Sequence, residues 1–153
     1  MDGLEAAERA EQVFWPYHRK IGADIAGFAA RGIRPVIISI HTFAAVLGGT
    51  PRPWQMGIFW DQDGRLALPL IKALQGRGDL MVGDNEPYSG HQMFGYSINV
   101  HASETGLPNV LVEIREDVAC GDPGPAGTAD ILAEALRPLR ADPDLYRAGS
   151  GIR

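Results

Sequence analysis

PVIISIHTF, residues 35–43, is the stretch that decides the fold of this chain. Its β-branched run, residues 36–38, continues through Ile40 into His41. Apolar runs of this kind are typical of strands buried on both faces of a parallel or mixed α/β sheet. The stretch therefore predicts a central strand with His41 at its carboxyl end, where open α/β sheets hold ligands and catalytic groups. His41 is a candidate metal ligand or, alternatively, a hydrogen-bonded loop residue.

The composition is that of an ordinary globular domain. The chain has 153 residues, of which 45% are hydrophobic and 22% are charged, and this length suits about one domain. Its net charge is -5, and its Lys and Arg residues are scattered and form no basic stripe. Both features argue against nucleic acid or an anionic membrane as a partner. The sequence has neither a membrane-length apolar run nor a signal-peptide pattern, so we expect a cytoplasmic protein. The single cysteine, Cys120, predicts no intrachain disulfide.

Helical and strand patterns alternate along the chain. An apolar repeat down to Gly32 predicts an N-terminal helix that starts at a capping box, Asp2 with Glu5, and that Pro16 kinks or divides. The remaining patterns predict strands over residues 56–60, 80–82, 96–101 and 110–114, and helices over residues 66–74 and 126–139. This order predicts an α/β fold, followed by a loosely ordered tail over residues 141–153.

Two charged residues occur where charge needs a reason. Glu113 lies inside the apolar strand VLVEI, where an ionised carboxylate is costly unless it is paired or works as an acid or base. Arg52 stands between prolines and near Trp54. That setting suits a bidentate grip on a carboxylate or, equally, a surface guanidinium stacked on the indole.

Two polar stretches are less specific. The turn over residues 83–90 contains Asn85 and Tyr88, a composition that fits either a substrate-facing surface or an ordinary polar loop. His101 and Glu104 have the HxxE spacing of some zinc sites. Three-residue coincidences of this kind are common, so the spacing alone is weak support for a metal.

Six blocks of sequence occur in one characteristic order. They read VFWPYH, ISIHTF, GGTPRPW, VGDNEPYSG, GYSINVH and GLPNVLVEIRED. In that order they closely resemble the N-formylglutamate amidohydrolase family, from about Val13 to the closing helix. The resemblance implies a three-layer α/β sandwich with helices on both sides of a mixed sheet, similar to the zinc carboxypeptidases and the aspartoacylase group.

The resemblance also implies roles in zinc-dependent amide hydrolysis. His41 corresponds to the last zinc-ligating histidine, and Glu113 to the carboxylate that activates water. Zinc lowers the pKa of bound water to about 7, and a nearby carboxylate accepts its proton. Arg52 would grip a substrate carboxylate, while Asn85 and Tyr88 would orient the acyl amide.

Two further residues match family blocks by motif alone. Arg115 would hold Glu113 or the substrate. His101 would contact a zinc ligand, not the zinc itself, and so orient that ligand. The expected substrate is a small N-acyl amino acid such as N-formylglutamate.

The chain departs from the family in its N-terminal part. Family members are longer, and the earlier part carries the remaining zinc ligands and an Asn-Arg pair that binds substrate. We therefore expect residues 1–140 to be the C-terminal portion of one amidohydrolase domain, which binds zinc weakly alone and self-associates or pairs with an N-terminal segment. The alternative is a catalytically incomplete remnant that acts as a folded binding or complementation module.

Overall fold

The computed structural model describes residues 3–88 and 95–147, so the predicted capping residue Asp2 lies outside the described ranges. The chain divides into two units, Met1–Pro35 and Val36–Arg153. All the candidate site residues belong to the second unit.

The first unit is helical, as its apolar repeat predicts. Helix α1 spans Gly3–Arg9 and continues through a π-helical turn, Ala10–Phe14, into α2, Trp15–Ala29. Pro16 is the second residue of α2, which directly follows the π-helical turn, and proline has no amide hydrogen to donate to the carbonyl groups of that turn. The predicted division at Pro16 is therefore a change from π- to α-helix just before it.

A mixed four-stranded sheet organises the second unit. The strands are β1 (Ile37–Phe43), β2 (Val46–Leu47), β3 (Thr50–Pro51), β4 (Met56–Phe59), β5 (Val82–Asp84) and β6 (Asn109–Arg115). The sheet order is β1-β6-β4-β5, and β2 and β3 form a separate hairpin. β1 runs parallel to β6, β6 antiparallel to β4, and β4 parallel to β5.

β1 is an edge strand of this sheet, so the prediction of a central strand is wrong for the described residues. β6 is its one partner among them, and Ile40 is 60% exposed. The apolar run has a different cause. Ile38 packs against a hydrophobic cluster on one face of the sheet, and Ile37 packs against a second cluster on the other.

The longer helices of the second unit cover one face of the sheet. The helices of the second unit are α3 (Ala67–Gln75), α4 (Tyr96–Ile98), α5 (Glu116–Cys120) and α6 (Gly124–Leu139). The main core joins alternate strand residues to α3 and α6, and includes Met56, Ile58, Leu70, Leu74, Val110, Val112, Ile114 and Leu132. Burying one such aliphatic side chain stabilises a fold by about 1.5–3 kcal/mol. This face therefore anchors the sheet.

The opposite face carries a smaller cluster. Phe59, Ile98 and Leu111 are buried there, with Ile37 and Tyr88 packed against them. The strand predicted over residues 96–101 is wrong, because α4 continues into a π-helical turn, Asn99–Ser103. Ile98 and Ala102, four residues apart, are both fully buried, a helical repeat that alternation would not give.

The predicted tail contains an ordered piece. Pro143–Tyr146 form a 3-10 helix, and Leu145 is buried in the main core. Across residues 3–88 and 95–147, no helix is both long and apolar enough to cross a bilayer.

Candidate active site

One row of residues crosses the sheet on the face opposite α3 and α6. Successive strand residues point to opposite faces, so Glu113 faces away from the core in which its neighbour Val112 is buried. His41 is in register with Glu113, Glu113 with Gly57, and Gly57 with Gly83. A histidine, a carboxylate and two glycines therefore lie side by side across the four strands.

Glu113 is a partly buried carboxyl group. Its Oε2 atom is shielded from water and has no hydrogen-bond partner within the described ranges. Burial raises the pKa of the Glu113 carboxyl, and the positive charges of His41 and Arg52 oppose that rise. A carboxyl shifted toward neutrality by burial exchanges protons more readily at physiological pH than an exposed one.

The raised pKa of Glu113 predicts a pH-dependent cost in stability. The folded state binds the Glu113 proton more tightly than the unfolded state, so stability is lost as pH rises from the unfolded pKa through the folded pKa. Glu113→Gln removes this loss. The measured quantity is the melting temperature of Glu113→Gln minus that of wild type, in a buffer that contains a metal chelator. This difference should increase between about pH 4 and pH 8. A difference that stays flat would contradict it, and exposed Glu116→Gln is the control.

His41 is the accessible member of the row. Its side chain is exposed at the sheet edge, and Nε2 lies 3.1 Å from Oγ of Ser39. A neutral imidazole is a common zinc ligand. Among residues 3–88 and 95–147, no group of three or more His, Cys, Asp and Glu side chains is placed to hold a metal. His41 can therefore supply one ligand of a metal site, not a complete set. His101 lies on the π-helical turn after α4.

The two glycines form a shelf under the loop that follows β5. A Cβ atom on Gly57 would overlap the main-chain oxygen of Glu86. A Cβ atom on Gly83 would lie 2.7 Å from Cβ of Glu86 and 2.9 Å from Cδ1 of Trp54. The absence of side chains at both positions lets Glu86 fold back onto the sheet beside Glu113, and this brings the loop that carries Tyr88 onto the site face.

Arg52 is buried between two aromatic rings. It is 8% exposed, and its Cζ atom lies 4.7 Å from the ring centroid of Tyr88 and 5.8 Å from that of Phe43. Its Nη1 atom donates to the Tyr88 hydroxyl at 2.7 Å. Arg52 therefore stacks on Tyr88 in a buried position and not on Trp54 at the surface, and its charge opposes the rise in the pKa of Glu113.

Arg115 is engaged away from Glu113. Its Nε and Nη2 atoms donate to the two carboxylate oxygens of Asp117, at 2.7 and 3.0 Å. Its Nη1 atom donates to the carbonyl oxygens of Arg52, Pro53 and Trp54. The expected hold of Arg115 on Glu113 is thus not among these contacts, and Arg115 instead ties the turn that carries Arg52 to β6.

Asn85 holds the start of the loop that carries Tyr88. Its φ angle is 55°, in the left-handed region that asparagine tolerates better than most residues. Its amide N–H donates to the carbonyl of Ile58, and its Oδ1 atom accepts from the amide of Trp60. Asn85 therefore continues the hydrogen bonding of β4 and fixes where this loop leaves the sheet.

Four residues of the site carry no chemistry that a sequence motif would mark. Phe43 and Asp117 support the two arginines, and Gly57 and Gly83 form the shelf. A weak signal exists for Gly57, since an isolated glycine inside a short apolar strand suggests close approach of another backbone. Asp117 follows Arg115 by two residues, a spacing too common to be informative.

Comparison with known families decides the relationship. The family model for N-formylglutamate amidohydrolase matches residues 1–120, more than half of the chain. The chain belongs to the N-formylglutamate amidohydrolase family. This membership confirms the resemblance drawn from the six blocks.

A solved structure supports the mixed α/β fold. The chain is similar to gene product Atu2144 from Agrobacterium tumefaciens, with a TM-score of 0.81 and 30% sequence identity. The match covers 92% of this chain and 57% of that one, so this chain spans little more than half the length of that relative. No curated protein matches it. The predicted mixed sheet flanked by helices is confirmed.

Proposed function

We propose that this chain contributes the proton-transferring part of a zinc-dependent amidohydrolase site, and that the substrate is N-formylglutamate or a similar N-acyl amino acid. One observation carries the proposal. The register of β1 and β6 sets His41 beside Glu113, whose shielded Oε2 atom has no hydrogen-bond partner in the described part of the chain. A metal-ligand type next to a carboxylate with a raised pKa is the pairing that metal-assisted hydrolysis needs.

The residues present fit one side of a zinc site. His41 would hold the ion, and the orphaned carboxylate oxygen of Glu113 lies beside it. Catalytic zinc sites use three protein ligands and keep one position open, so we propose that the other ligands come from a further segment of a longer protein or from a partner chain. When bound, zinc polarises the carbonyl and lowers the pKa of water to about 7.

The proposed reaction assigns each proton to a residue. Glu113 accepts a proton from water as the water oxygen bonds to the formyl carbon, and later donates that proton to the leaving nitrogen as the C–N bond breaks. The products are formate and glutamate. Arg52 pairs with a substrate carboxylate while stacked on Tyr88, and Tyr88 and Asn85 orient the acyl amide.

The test combines zinc, substrate and a segment of the relative that this chain does not match. The chain is incubated with N-formylglutamate and zinc, alone and together with the part of the Agrobacterium relative that lies outside the match. We expect formate and glutamate in equal amounts from the combination and little from the chain alone. If the combination shows neither turnover nor zinc uptake, the result would favour the alternative, a folded binding module. The observation behind that alternative is the incomplete set of metal ligands among the described residues.

Self-association is a separate expectation that follows from β1. Its outer edge has no partner strand among the described residues, and an open edge with an exposed Ile40 favours pairing with another chain. The sedimentation coefficient of wild type should rise with concentration. Ile40→Lys should weaken that rise, because lysine on an edge strand opposes pairing. Leu68→Lys on α3, at a position that is 50% exposed, is the control. A compact wild-type monomer at high concentration would contradict the expectation.

A further inference from the structure

We propose that Arg115 is a positioning residue, which sets the Arg52 guanidinium against Tyr88 by holding the main chain of residues 52–54. This role rests on the proposed function only in its link to catalysis. The contacts themselves belong to the folded chain.

Three carbonyl groups in a row converge on one nitrogen of Arg115. Nη1 lies 3.0 Å from the carbonyl oxygens of both Arg52 and Pro53, and 3.4 Å from that of Trp54. Carbonyl oxygens that converge on one point repel one another, and a cation at that point offsets the repulsion. The guanidinium supplies that charge together with directed N–H donors.

Asp117 fixes the guanidinium from the other side. It accepts from Nε and Nη2 in the two-point geometry that arginine and carboxylate share, and this pairing lowers the pKa of Asp117. The guanidinium of Arg115 therefore divides its hydrogen bonds: Nε and Nη2 donate to Asp117, and Nη1 donates to the carbonyl groups. The side chain of Arg115 is 17% exposed, against 57% for Asp117.

The main chain of Arg52 is held at both ends as a result. Its amide N–H donates to the carbonyl of Ala45 at 2.8 Å, and its carbonyl accepts from Arg115. The Arg115 amide also donates to the carbonyl of Gln55 at 2.9 Å, so one residue of β6 anchors the turn twice. With the main chain fixed, the side-chain torsions alone decide where the Arg52 guanidinium lies.

The experiment reads the position of Arg52 directly, in the isolated chain and without zinc or substrate. Arginine labelled with ¹³C and ¹⁵N allows NMR of the Arg52 δ protons and Nε–H group, which ring currents from Tyr88 and Phe43 shift away from unstructured values. Arg115→Gln should move these resonances most of the way back. Arg115→Lys should do the same, because an ammonium group cannot divide a planar fork between Asp117 and the carbonyl groups.

A matched control exists on the surface. Arg77 makes the same two-residue pair with Asp79, at 3.1 and 3.0 Å, and also binds Glu134. It lies outside the site, so Arg77→Gln should leave the Arg52 resonances unchanged.

Unchanged Arg52 resonances in folded Arg115→Gln would overturn the proposal. If that variant does not fold, Asp117→Asn decides, since it weakens the anchor without emptying the space. A smaller displacement of the same resonances supports the proposal, and none overturns it. In a form that turns over N-formylglutamate, Arg115→Gln should raise KM at least about tenfold and change kcat less, as expected for lost substrate binding. Absence of turnover in every form would contradict the proposed function but not the NMR result.

Discussion

Glu113→Gln is expected to lower formate release about a hundredfold to ten-thousandfold, in a form of the protein that hydrolyses N-formylglutamate. The amide keeps the size of the side chain but cannot accept the proton of water. Zinc content and substrate binding should survive. The fold should survive too, because Oε2 of Glu113 makes no hydrogen bond within the described ranges and Arg115 pairs with Asp117 instead.

The measurement sets the rate of formate release beside the melting temperature of the same sample. Glu116→Gln, an exposed change three residues further on, is the control and should keep both. Turnover near wild type would remove Glu113 from the chemistry. A strongly lowered melting temperature would mean that its carboxylate is a structural partner, and the catalytic assignment would fail.

His41→Ala is expected to lower zinc affinity by more than about a hundredfold. Changing a residue that merely supports a ligand already costs about ten- to a hundredfold in metal affinity, so removing a ligand should cost more. The isolated wild-type chain should itself hold well below one zinc per molecule, because the described residues offer no group of three metal-ligating side chains. Competition with a chelator, in the form that binds zinc, measures the affinity, and elemental analysis of the isolated chain measures its zinc content.

His101→Ala is the matched control for His41→Ala, since it removes another imidazole of the same chain. Its effect on zinc affinity should stay within about ten- to a hundredfold. If stoichiometric zinc were lost with His101→Ala and retained with His41→Ala, the HxxE spacing of His101 and Glu104 would be the metal motif and His41 would not.

The part of the site that depends on alternation could be predicted. Val112 and Ile114 in the core require Glu113 to face the other way, so an apolar strand with one acid already indicates a carboxylate outside the core. The sequence could also place His41 near the end of its strand. It could not predict the pairing of β1 with β6, because many residues separate them and strand order is decided by the packing of the whole sheet.

The surroundings of the two arginines could not be predicted. Arg52 stacks on Tyr88, which is thirty-six residues away, and the loop that carries Tyr88 after β5 reaches the sheet only because Gly57 and Gly83 lack side chains. The edge position of β1 escaped prediction because an apolar run indicates two covered faces and says nothing of its two edges. Residues 96–101 were misassigned because their β-branched residues favour strands, whereas burial of Ile98 with Ala102 favours a helix.

The register of β1 against β6 makes the site sensitive to the insertion or deletion of even one residue in β1. Insertion or deletion of a single residue before His41 would exchange its face with that of Ile40, sending the imidazole toward the helices and an aliphatic side chain toward Glu113. A two-residue change would restore the face but shift His41 along β6 by about 6.6 Å, since each strand residue advances about 3.3 Å. Natural variation in chain length should therefore be absorbed in the turns around β1, never within it.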